Sequence, residues 1–90
     1  GRFVSIWNRP VSSSPVEVIR VTGNIVGVGT TSPSASAKVE VASTTGGILF
    51  PRMTATQRDA IAAPPDGLVI YNTKSNKLQV RAAGAWVDLH

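Results

Sequence analysis

Ninety residues allow one domain at most, and a chain of that length buries only about 60–65% of its unfolded surface, so a lone fold would be marginal. Gly, Ala, Ser and Thr supply 35 of the residues and only five are aromatic, which leaves little apolar area to bury. Cysteine is absent and the single histidine is the terminal His90, closing the disulfide route and nearly closing the metal route, so oligomerisation is the remaining means of support.

The net charge is +4, but the nine basic residues are scattered singly from Arg2 to Arg81. Nucleic-acid binders gather Lys and Arg on one stripe, so a solvated surface is the expectation here and no nucleic-acid partner is expected. No apolar run approaches the length of a membrane-spanning helix, and no membrane insertion is expected. The chain starts with Gly and has no charged-then-apolar leader, which reads as a piece of something longer.

In chain order, Phe3, Val4, Ile6 and Trp7 suit a short strand. Residues 9–15 (RPVSSSP) set two prolines around a serine run and read as an extended connector, with a segment boundary after Pro15. Residues 16–21 (VEVIRV) are strand-like, with a slip in alternation at Ile19 that suggests a bulge or a strand covered on both faces. Gly23-Asn24 marks a turn. Residues 25–29 (IVGVG) then set Val26 and Val28 on one face and Gly27 and Gly29 on the other, where close approach by another backbone is expected. A phosphate loop would need Gly-Lys-Ser/Thr to follow, and Thr30-Thr31-Ser32-Pro33 follows instead.

Residues 37–41 (AKVEV) alternate, with Val39 and Val41 expected inward and Lys38 and Glu40 toward water. Ile48, Leu49 and Phe50 form a short apolar run ended by Pro51. Thr54 and Gln57 have capping-box spacing, opening a helix of about residues 55–62 that Pro64-Pro65 ends, with Ala60 and Ile61 docking on the sheet near Met53. After the Asp66-Gly67 turn come strands around residues 68–71, 77–81 and 85–89, joined by a polar turn and by Ala83-Gly84, with Leu78 and Val80 inward. The reading is mainly β with one short α-helix.

Catalysis needs convergent groups, and the residues offer none. Of the five acids, only Asp59 and Asp66 are near one another in sequence, and a solvated helix face and a turn explain them. No nucleophile elbow, metal-ligand spacing or glycosylation sequon occurs. The expectation is a non-enzyme with no cofactor.

Four pieces in order, GNIVGVGTTSPSASAKVEV, then GGILFPRMTATQRDAI, then DGLVIYNTKSNKLQV, then GAWVDL, carry a resemblance over about three quarters of the chain. Together they resemble a module of trimeric bacteriophage tail-fibre and tail-spike proteins. The resemblance implies a small intertwined β-structure completed as a parallel homotrimer, with residues 1–15 as an N-terminal connector to the upstream fibre and 16–90 as the fibre module. It implies a structural or adhesion role in a virion tail fibre, an extracellular particle. The module would carry or link a host-receptor-binding tip. Its partners would be other tail, baseplate or fibre proteins and a host cell-surface glycan or protein. Residues expected at the trimer interface are Val26, Gly27, Val28, Gly29, Ile48, Leu49, Phe50 and Ile70. For Tyr71 and Trp86, packing in the core or trimer, stacking on carbohydrate and incidental exposure stay open. A capsid-attached fibre or decoration protein, a bacterial secreted adhesin and a fragment of a polysaccharide-degrading tail spike are the alternatives. Related proteins often continue into a self-cleaving chaperone domain, whereas this sequence stops at Trp86-Val87-Asp88-Leu89-His90, so folding assistance stays an open question.

Overall fold

A computed structural model describes residues 3–8 and 16–90, with side chains from Ile19 onward. The expected junction at Pro15 lies outside the described residues. The chain divides into two compact units, Gly1–Ile48 and Leu49–His90.

The first unit is a four-stranded sheet in the order β1(Phe3–Asn8), β2(Val16–Thr22), β3(Ile25–Val28), β4(Val39–Val41). β1 and β2 are antiparallel with a register shift between Ile6 and Trp7, where Ile6 faces Ile19 and Trp7 faces Glu17. The slip read at Ile19 is therefore a bulge in the β1–β2 ladder. Antiparallel β2 and β3 are joined by the tight turn at Gly23-Asn24. β3 and β4 are parallel, so no hairpin can join them, and residues 29–38 make the crossover. The Val26 amide donates to the Lys38 carbonyl at 2.8 Å and the Ala42 amide to the Val28 carbonyl at 2.9 Å, closing both ends of that short pairing.

The second unit repeats this logic with different parts. Its sheet runs β5(Arg52–Met53), β6(Val69–Asn72), β7(Lys77–Ala82), β8(Ala85–Asp88), with β5 and β6 parallel and the other pairs antiparallel. The crossover between β5 and β6 carries the helix α1(Ala55–Asp59). Thr54 caps it as expected: the Gln57 amide donates to the Thr54 hydroxyl at 3.2 Å, and the Thr54 amide donates to the Gln57 side chain at 2.9 Å. The helix is shorter than residues 55–62, since Ala60 is its C-cap and is exposed. Ile61 is half-buried. The docking contact missed by sequence is Arg58, half-buried and bonded to Gln79 on the sheet.

The β7–β8 hairpin closes through Ala83 and Gly84 with φ of 51° and 78°, a two-residue turn with both central residues left-handed. That pattern matches the twist of the flanking strands. The structure is mainly β, in two sheets, with one short helix.

Candidate functional site

Strand registers assign each side chain to a face, because successive residues alternate. In the first sheet, Ile19 pairs with Val28, Val21 with Val26, Val26 with Val39 and Val28 with Val41. One face is therefore six aliphatic side chains, with Val26 and Val28 at its centre. None of the six is buried, and Val39 is 63% exposed.

The opposite face carries Arg20, Gly27 and Glu40. The crossover covers it, and the glycines make that possible. A Cβ on Gly27 would come within 3.1 Å of the Thr30 carbonyl oxygen and 3.3 Å of Pro33 Cβ. Gly29 has φ of 75°, and a Cβ there would run into the Ala42 carbonyl oxygen. Close backbone approach was the expected reason for both glycines. The backbone that approaches is the chain's own crossover and the residue after β4. Glu40 is half-buried on this face and accepts a 2.7 Å hydrogen bond from the Ser34 amide, fastening the crossover. Lys38 is exposed as expected, but the expected orientation of residues 39–41 is reversed within one chain. Val39 and Val41 are exposed, and Glu40 turns toward its own loop.

In the second sheet the helix lies over the face that holds Ile70, Asn72, Gln79, Arg81, Trp86 and Asp88. Ile70, at 2% exposed, is the one buried hydrophobic side chain among the described residues, and it belongs to this chain's own core. Its neighbours Asn72 and Gln79 are buried and polar. Gln79 Oε1 accepts from Arg58 Nη1 at 2.9 Å and from Asn72 Nδ2 at 3.2 Å, while its Nε2 donates to Asp88 Oδ1 at 2.7 Å. Asn72 Oδ1 accepts from the Lys74 amide at 2.9 Å and so braces the β6–β7 turn. Asp59 Oδ1 accepts from both Arg58 Nε, at 2.9 Å, and Nη2, at 2.7 Å. Asp66 lies in a turn with Gly67 as expected, and its carboxylate also accepts from the Gly84 amide at 3.0 Å.

The other face of this sheet holds Val69, Tyr71, Leu78, Val80 and Val87. None is buried, Val87 is 46% exposed, and no helix or strand of the unit lies over them. The inward assignment of Leu78 and Val80 is corrected for the single chain: Gln79, between them, is the side chain the helix covers. Tyr71 and Trp86 fall on opposite faces, so they form no common aromatic patch. Arg58 and Arg81 each place a guanidinium 5.7 Å from the Trp86 ring centroid, a cation–π arrangement that occupies the indole.

Of the other expected interface residues, Ile48 and Leu49 are exposed, Leu49 by 74%, and Phe50 is half-buried. Among the described residues no group of three or more His, Cys, Asp or Glu is placed to hold a metal ion, and no helix is long and apolar enough to cross a membrane.

Both sheets share one inversion. Each contains a parallel pair, each crossover covers a single face, and among the described residues the face without a crossover is the aliphatic one. Parallel strands are ordinarily covered on both sides, so this geometry leaves a surface suited to association.

No curated protein and no solved structure matches the chain. Residues 27–90 match the family model described as a phage tail like trimerisation region, a span that takes in Val28, all of β4 and the whole second unit. The chain therefore belongs to the family of phage tail like trimerisation regions.

Proposed function

We propose that this protein is a non-catalytic structural module of a phage tail fibre or a related tail-like particle. Three copies assemble in parallel, hold their chains in register, and carry or link a tip that contacts the host receptor. The module would work outside the cell as part of the particle, beside other tail, baseplate or fibre proteins.

The observation that carries this reading is the aliphatic face that each sheet leaves without a crossover, in a chain with a single buried hydrophobic side chain among the described residues. A large aliphatic side chain taken from water into a packed contact contributes about 1.5–3 kcal/mol. Val39, Val41, Ile48, Leu49, Val87 and Leu89 all remain exposed in one copy, so association has more to gain here than further folding does. Val26 and Val28 sit in the middle of the first sheet's face, consistent with their proposed place at the trimer contact.

Light scattering behind a sizing column tests the assembly. The full chain should give three times its 9.4 kDa mass. A compact monomer that unfolds cooperatively at high dilution contradicts the proposal.

A further inference from the structure

We propose that the face of the second sheet formed by Val69, Tyr71, Leu78, Val80 and Val87 is a surface on which identical copies of this chain pack against one another. The inference rests on the trimeric reading above and adds a location that the sequence did not assign.

The geometry comes first. The β5–β6 crossover delivers α1 to the Ile70 and Gln79 side of the sheet, where Arg58 is bonded to Gln79. Alternation then puts Val69, Tyr71, Leu78, Val80 and Val87 on the far side, in direct cross-strand pairs: Val69 with Val80, Tyr71 with Leu78, and Val80 with Val87. Val87 is exposed and the other four are half-buried in one copy, and a continuous apolar patch that stays in contact with water marks an interaction site.

Charge points to a second copy as the occupant. The patch contains no ionisable group other than the Tyr71 hydroxyl, and the exposed Arg52, opposite Tyr71 on the two-residue edge strand β5, stands at its rim. Arg58, Arg81, Asp59 and Asp88 all lie on the helix side. Apart from Arg52 at its rim, this face can meet its own copy without carrying a charged group into the contact, whereas the helix side would bring Arg58, Arg81, Asp59 and Asp88 with it. The matched trimerisation region also contains the entire patch.

Hydroxyl-radical footprinting of the full chain, in the fraction whose mass is first measured by light scattering, tests the inference without altering the sequence. If the chain is a monomer by mass, the trimeric reading fails and the inference falls with it. If the chain is a trimer, Val87 and Leu78 should be oxidised several-fold more slowly than their exposure in one copy requires. Exposed residues of the helix such as Gln57 should react at the ordinary rate. Unprotected Val87 in a trimer overturns this location while leaving the trimer intact. Val80→Asp gives a second readout: loss of the trimer mass with the circular-dichroism β signal retained supports the inference, and an unchanged trimer mass overturns it.

Discussion

Arg58 and Gln79, twenty-one residues apart, meet in a 2.9 Å hydrogen bond that ties the helix to the sheet beneath it. The same Gln79 carbonyl oxygen accepts from Asn72, and the amide nitrogen reaches Asp88, so one buried side chain joins α1, β6, β7 and β8. Gln79→Ala would strand the Asn72 amide and one arm of Arg58 in a site with little water. An unsatisfied buried polar group costs about 1–3 kcal/mol, more when the partner is charged. We expect Gln79→Ala to destabilise the chain by about 2–3 kcal/mol. Gln57→Ala, which removes one half of an exposed capping box, should cost about 1 kcal/mol or less. Urea unfolding of both variants at one chain concentration makes the comparison, and equal losses would mean the buried network does not hold the helix.

Gly29 predicts a second difference. Its φ of 75° is in the left-handed region, and the space a Cβ would fill is held by the Ala42 carbonyl oxygen. Left-handed backbone costs an ordinary L-residue about 1–2 kcal/mol before any clash is counted. Gly29→Ala should therefore loosen the β3–β4 pairing by at least that amount. A Cβ on Gly47 meets nothing within 4 Å, and Gly47→Ala should be neutral to within about 0.5 kcal/mol. Amide exchange at Ala42, whose N–H donates to the Val28 carbonyl, reports the pairing directly. Unchanged protection in Gly29→Ala would refute the close approach.

Ala83 offers the opposite opportunity. It holds φ of 51° in the β7–β8 turn without a side chain that can compensate. Asn tolerates this conformation, and Asn-Gly is the preferred pair for a two-residue turn of this type. Ala83→Asn should stabilise the chain by about 0.5–1 kcal/mol and raise its melting temperature, with no change in assembled mass. A lower melting temperature would show that the methyl group of Ala83 has a packing role.

Much of this fold was legible in the sequence because its cues are local. Thr54 and Gln57 announced the helix start, and Ala83-Gly84 and Gly23-Asn24 announced their turns. Alternation correctly separated Val26 and Val28 from Gly27. What alternation does not encode is which face a single chain covers with its own crossover. That choice depends on Arg58 finding Gln79, twenty-one residues away, and on Glu40 finding the Ser34 amide, polar contacts that a pattern of apolar alternation does not encode. Hence all four of Leu78, Val80, Val39 and Val41 were read as inward, although in one copy Val39 and Val41 are exposed and the half-buried Leu78 and Val80 lie on the face away from the helix. Ile70, read as an interface residue, is in the chain's own core for the same reason. Asp66 shows the limit again: its turn was legible, but its hydrogen bond from the Gly84 amide across the unit was not.

Val39 gives the sharpest separation between a free surface and an assembly surface. At 63% exposed in one copy, it should accept Asp at almost no cost if the chain works alone, because surface substitutions of this kind change stability by only about 0.5 kcal/mol. If the first sheet's aliphatic face meets other copies, the same Asp carries a charge into a dry contact with no cation to answer it. Its neighbours on that face are Val26, directly opposite in register, and Val41, two residues along the strand. An unpaired buried charge costs several kcal/mol in each subunit, and three-fold assembly multiplies that penalty. Val39→Asp should therefore shift the assembled mass toward the single-chain value, and dilution should deepen the loss. Val39→Thr, nearly the same shape without the charge, should retain most of the trimer. A Val39→Asp chain that elutes at unchanged trimer mass would remove this strand from the contact.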